Sequence, residues 1–276
     1  MRIVFLTVLA MCAFAANSIL TRAAIDGGHL GPGTFAIVRV AAGAAMLAAI
    51  CYGRGVSLPI RDRARWIGGV SLAAYMVGFS LANITLDAGL GALILFGVTQ
   101  ITMFSHAAFT GSPPNGRQIG GAAVAFGGLV LVLWPSEGSM TDPVGASLMV
   151  VGGLGWAAYT ILGRGAVDPI AATGASFVLC LPLLIVLLGW LGVSGTWFGL
   201  LLAVISGAVT SGLGYALWYS LLRELSGTTA AVVQLSVPVI ALIAGAILLG
   251  EAVPMTVIIA ATLVVCGIGW AVTAKR

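Results

Sequence analysis

The chain has 276 residues, 60% of them hydrophobic and only 7% charged, with a mean hydropathy of +1.14. A soluble domain carries roughly 25% charged residues to keep its surface hydrated, so this composition excludes a water-solvated globule and makes lipid the main solvent. The net charge of +4 does not point to nucleic acid, because the arginines other than Arg39 sit in loops and form no basic patch interleaved with aromatics.

Apolar stretches long enough to cross a hydrocarbon core of about 30 Å recur from end to end. Punctuation by Gly, Pro and charge divides the chain into ten predicted helices. The first, Ile3–Thr21, begins with a stretch from Arg2 to Ala15 that imitates a cleavable signal peptide, but the internal repeat described below argues that it is retained. It carries Phe14 and Asn17. The second, Pro32–Tyr52, contains Arg39 about 10 Å along its axis, where the side chain is expected to snorkel or to find an acidic loop partner. The third, Trp66–Leu86, brings Tyr75 and Phe79 one turn apart, followed by Asn83. The fourth, Gly89–Thr110, holds Phe96, Gln100 and, near its end, His106.

The fifth predicted helix, Gln118–Trp134, is associated with small-residue pairs at Gly116/Gly120 and Ala123/Gly127, read as contacts within the fold. The sixth, Val144–Leu162, places Trp156 and Tyr159 on one face. The seventh is Ile170–Trp190, and the eighth, Trp197–Leu222, groups Tyr215, Trp218 and Tyr219. The ninth, Thr228–Leu249, contains Gln234 and Pro238. Proline lacks an N–H, so the Gln234 carbonyl loses its helical partner and must face water, substrate or another side chain, Ser236 among the candidates. The tenth is Met255–Thr273. Trp66, Trp134, Trp190 and Trp197 lie at helix ends as interfacial anchors. Cys12, Cys51, Cys180 and Cys266 all fall inside predicted helices and read as small packing residues, so no metal and no cofactor is expected.

Loop charge sets an orientation. With both termini cytoplasmic, one side collects Arg2, Arg54, Arg61, Arg63, Arg65, Arg117, Arg164, Arg223, Lys275 and Arg276, against Arg22 alone on the outer side. Outer loops hold Asp26, Asp87, Glu137, Asp142 and Glu251. The sequence also repeats: AANSILTRAA, beginning at Ala15, aligns with AAYTILGRGA, beginning at Ala157, with six of ten positions identical. Each half then has five helices, residues 1–138 and 139–276. Since five is odd, the second half enters the membrane from the opposite side, as an inverted repeat.

These residues resemble the drug/metabolite transporter superfamily, specifically proteins with two EamA-type domains. The resemblance rests on Ala15-Ala16-Asn17 with Arg22, on Gly31-Pro32 followed by Phe35 and Arg39, and on Gly116 and Gln118. In the second half it rests on the run from Gly155 to Tyr159, on that from Tyr215 to Trp218, and on Pro238 followed by Gly250-Glu251. It implies a central cavity among helices 1, 3, 4, 6, 8 and 9, with 5 and 10 at the periphery, and is nearest the branch that exports aromatic and other amino acids. One departure is that Gln100 stands where the second half has Pro238.

The sequence therefore predicts an all-α, ten-span transporter of the inner membrane that exports amino acids or similar amphipathic metabolites by alternating access, and no enzyme. The alternatives are an efflux carrier for drugs or toxic cations, and a channel or scaffold. The expected substrate-binding residues are Asn17, Tyr75, Phe79, Asn83, Phe96, Gln100, Trp156, Tyr159, Tyr215, Trp218 and Gln234, with Pro238 as a conformational element. Rings with polar tips suit an apolar side chain and amides suit its polar backbone, although packing and interhelical hydrogen bonding explain the same residue types. No nucleic acid partner is expected, and monomer and homodimer both remain open. No Asp or Glu stands at mid-membrane to relay protons.

Overall fold

The computed structural model describes residues 2–109, 116–133, 142–163, 166–192, 194–221, 224–225, 233–234 and 236–273. Trp134, Glu137, Arg164, Arg223, Lys275, Arg276, the side chain of Gln118 and the predicted start of the ninth helix at Thr228 lie outside the described residues. The described residues form ten helices: α1 (Arg2–Asp26), α2 (Pro32–Gly53), α3 (Arg63–Ala82), α4 (Ala88–Phe109), α5 (Gly116–Leu133), α6 (Pro143–Gly163), α7 (Pro169–Leu188), α8 (Trp197–Leu221), α9 (Ser236–Leu249) and α10 (Met255–Thr273). Five of them are long and apolar enough to cross a membrane by themselves: α1, α2, α6, α7 with its 3₁₀ extension to Leu191, and α8.

Helix ends follow local chemistry. Pro32 and Pro169 open α2 and α7, where the missing N–H costs nothing. Asp62 caps α3 by accepting from the Ala64 N–H, and Asp168 caps α7 by accepting from Ile170 and Ala171. Large apolar side chains such as Phe5, Val186 and Ile247 point outward, while the interior buries polar residues such as Asn17, Arg39, Gln100 and Gln234 among its apolar ones. That inversion fits a bundle in which lipid, not water, covers the outside.

The helices pack in a regular pattern. α3 lies on α6 and α7, α1 and α2 lie on α8, α4 lies on α6 and α9, α1 lies on α9, and α2·α7 and α5·α10 form two further pairs. Exchanging the first five helices for the last five maps each of these pairs onto another or onto itself. At one end of the bundle, Thr85 after α3 donates to Asp142 at the head of α6, and Glu251 between α9 and α10 accepts from the Ala88 N–H at the head of α4. Arg22, near the end of α1, reaches the carbonyl of Asn83 and the carboxylates of Asp87 and Glu251 there. At the opposite end, Arg54 pairs with Asp168, and Arg65 bonds Asp62 and the Leu162 carbonyl. α1 therefore finishes at the end where α6 begins.

The small-residue face of α5 differs from the one read in the sequence. Gly116 and Gly127 face open space and Ala123 is exposed, whereas Gly120, Gly121, Ala125 and Gly128 meet α10. Of the residues read from the spacing, Gly120 lies on the contact face and the others turn away from it, because a run of small residues offers several pairs at the same interval.

Candidate functional site

Close approach of two helices builds the centre of the molecule. A methyl group on Gly155 of α6 would stand 2.7 Å from the backbone N of Tyr75 and 2.7 Å from the Ser71 carbonyl of α3. Only a glycine lets the two backbones meet this closely, and the result is that the Tyr75 and Trp156 rings meet at a tilt of 50° with centroids 5.1 Å apart. Trp156 also contacts Tyr159 at 5.7 Å, Tyr215 at 4.9 Å and Phe14 at 6.1 Å, while Phe14 meets Trp218 at 5.8 Å. Tyr75 continues to Phe79 at 5.5 Å, and Tyr215 to Phe177 at 5.8 Å. Rings from α1, α3, α6, α7 and α8 thus form one continuous buried cluster.

Six of the sequence-predicted residues, Tyr75, Phe79, Trp156, Tyr159, Tyr215 and Trp218, belong to it. Phe96 is buried on α4 but stands outside the ring contacts among the described residues. Gln100 and Gln234 meet each other instead, with Gln100 Nε2 donating to Gln234 Oε1 at 3.2 Å. Asn17 is taken up by α8: its Oδ1 accepts from the hydroxyls of Ser206, Thr210 and Ser211. Asn83 caps the end of α3, donating from Nδ2 to the Phe79 carbonyl at 2.8 Å, with a buried Oδ1 left unpaired. Pro238 stands buried three residues into α9, and Ser236 donates its hydroxyl to the Val233 carbonyl at 2.7 Å.

Arg39 departs from expectation. It does not snorkel, and among the described residues it has no acidic partner. Its side chain is 0% exposed, with Nε donating to Ser211 Oγ and Nη2 to Tyr75 OH, both at 3.0 Å. The guanidinium carbon lies 5.5 Å from the Tyr75 ring centroid and 5.2 Å from that of Phe79. Such cation–π contacts are worth roughly 0.5–2 kcal/mol each, against a cost of at least about 2.5 kcal/mol for an arginine at membrane depth. Nη1 is left without a hydrogen-bond partner, as is Trp156 Nε1.

The middle of α8, Ser206–Leu213, is π-helical, which widens the turn and sets Ser206, Thr210 and Ser211 toward Asn17. Gly207 faces the Arg39 carbonyl so closely that no side chain fits between. The π segment, Phe177 and Ser211 were not singled out in the sequence. A signal for Arg39 was present: it is a basic residue inside an apolar span, and such residues mark sites by default.

Residues 143–273 match the EamA-like transporter family. An uncharacterized protein of Pseudomonas aeruginosa is 43% identical over 256 residues, covering 91% of this chain and 87% of its own. An uncharacterized transporter of Archaeoglobus fulgidus is 26% identical over 215 residues, 76% of each chain. A solved crystal structure superposes with a TM-score of 0.68 at 18% identity, covering 98% of this chain and 96% of that one, and shows a shared fold.

Proposed function

Because the chain belongs to the EamA-like transporter family, we propose that it is a secondary carrier that exports amino acids or similar amphipathic metabolites across the inner membrane by alternating access. The observation that carries this reading is the buried ring cluster around Trp156, drawn from helices of both halves of the chain. Aromatic rings offer a large apolar surface with polar tips, which suits a substrate that is apolar at one end and polar at the other.

The two halves, residues 1–138 and 139–276, act in this reading as inverted five-helix repeats. Support comes from the aligned segments at Ala15 and Ala157 and from the exchange symmetry of the helix contacts. Rocking of one repeat against the other opens the cluster to alternate sides. The Gln100–Gln234 pair bridges α4 and the approach to α9, so it is placed to part and re-form in that motion. The basic side of the bundle, with Arg54 and Arg65, faces the cytoplasm.

Substitution of Trp156 tests the site. Trp156→Ala removes contact area in proportion to what a substrate can cover, so counterflow of phenylalanine should fall more than that of alanine. Equal losses for both, with folding unchanged, would leave Trp156 as packing and the site unsupported.

A further inference from the structure

Resting on the reading of the ring cluster as the substrate site, we propose that Arg39 is the anion anchor of that site and that its substrates carry a carboxylate beside a ring-sized apolar group. A guanidinium cannot shed its proton in a protein, so its charge is permanent. Here that charge is fully buried, and none of the described carboxylates pairs with it. The polar groups around it, Ser211 and the hydroxyls of Tyr75 and Tyr215, are neutral, and the rings of Tyr75 and Phe79 bring only their quadrupoles. A permanent charge without a counter-ion at this depth is an incomplete site.

The missing group is an acceptor. Nη1 of Arg39 is unpaired, and so is Nε1 of Trp156, and both side chains border the Tyr75 ring. A carboxylate accepts only, and its two oxygens can take hydrogen bonds from several donors at once. An ammonium donates only and would meet the fixed positive charge. The other basic side chain beside the cluster, Arg65 near Tyr159, already pairs with Asp62, so a monoanion balances the charge of Arg39, and a doubly charged phosphate would not. The flanking rings of Phe14 and Tyr215 then receive the apolar part of the molecule. On these grounds a carrier for toxic cations is disfavoured.

The test uses the purified full chain with three probes: 3-phenylpropionate, which has ring and carboxylate, phenethylamine, which has ring and ammonium, and phenylalanine, which has all three. A ligand that binds the folded chain raises its melting temperature, and counterflow in proteoliposomes reports transport. 3-Phenylpropionate and phenylalanine should both raise the melting temperature and compete, and phenethylamine should do neither. Arg39→Gln should weaken binding of the two carboxylates by about ten- to a hundredfold, the worth of a charged hydrogen bond, and Arg39→Lys should recover part of it. Should Arg39→Gln fail to fold, Trp156→Phe, which keeps a ring and removes the second donor, should still weaken 3-phenylpropionate binding by at least about threefold.

Phenethylamine binding as tightly as 3-phenylpropionate overturns the proposal, as does a folded Arg39→Gln chain that keeps the carboxylate preference, or an unchanged affinity in Trp156→Phe. Arg39-dependent carboxylate binding without counterflow would uphold the anchor and sink the carrier reading. Counterflow of phenethylamine alone would do the reverse. Binding of none of the three probes contradicts both.

Discussion

Arg39 on α2 donates from Nε to Ser211 Oγ on α8 across 3.0 Å, inside the π-helical stretch that also holds Asn17 of α1. Ser211 donates onward to Asn17 Oδ1 at 3.3 Å, so a single file of polar groups ties three helices in the middle of an apolar bundle. Hydrogen bonds between membrane helices contribute on average about 0.6 kcal/mol and up to about 2 kcal/mol each. Asn17→Ala breaks three of them, and should lower the melting temperature while leaving the order of substrate preference unchanged. A change of preference at constant stability would place Asn17 against the substrate.

The contact of α3 with α6 predicts an asymmetry between glycines. Gly155→Ala drives a methyl into the backbone of Ser71 and Tyr75 and should cost roughly 1–3 kcal/mol. Gly127→Ala, which meets nothing within 4 Å, should be neutral or slightly stabilising. Thermal unfolding of the two variants side by side checks this, and equal melting temperatures would contradict the close packing.

The two ends of the bundle should respond to pH with opposite signs. At Asp168, partial burial disfavours the charge, but the Ala171 N–H and the Arg54 guanidinium outweigh it and hold the carboxyl below its ordinary 3.8. Its contribution to stability is present above 3.8 and is lost as pH falls through the lower folded value. Asp168→Asn should therefore melt earlier than the parent at pH 7, and the gap should close on acidification below 3.8.

Glu251 is the reverse case. Burial raises it above its ordinary 4.5 against the pull of the Ala88 N–H, with Asp87 adding to the rise. The folded chain takes up this proton first, so the group stabilises most below 4.5 and less as pH rises through its folded value. Glu251→Gln should flatten that decline in a series of melting curves between pH 4 and 7. Parallel curves for variant and parent would show that the carboxyl titrates as it does in the unfolded chain.

Much of this architecture is legible in composition and punctuation, since a span needs only length and hydropathy to be seen. α8 begins at Trp197 and α10 at Met255, as read. α3 is shifted toward its start, Arg63–Ala82 in place of Trp66–Leu86, because Asp62 and Asn83 cap it and hydropathy does not register caps. Six of the eight rings of the cluster were legible as binding-residue candidates because aromatic residues deep in several helices have few other places to go. The environment of Arg39 was not. Its depth along α2 follows from counting residues, but the direction in which it points depends on Gly207 and the π turn of α8, which no local pattern encodes.

The orientation has a direct check. Ser57 lies exposed in the basic loop after α2. A single cysteine there, in a background without native cysteines, should be protected from an impermeant reagent in intact cells, while one at Ser139 should be labelled. The opposite pattern contradicts a cytoplasmic basic face.

The central claim is that this chain is a carrier, and exchange across a sealed membrane tests it most directly. Proteoliposomes loaded with unlabelled phenylalanine should take up external labelled phenylalanine transiently above equilibrium, faster than empty liposomes do. A carrier rocks between two faces and returns faster when loaded, whereas a channel gains nothing from substrate on the far side. Uptake that is the same in loaded and empty proteoliposomes, for phenylalanine and for the wider amino-acid panel, would contradict the account.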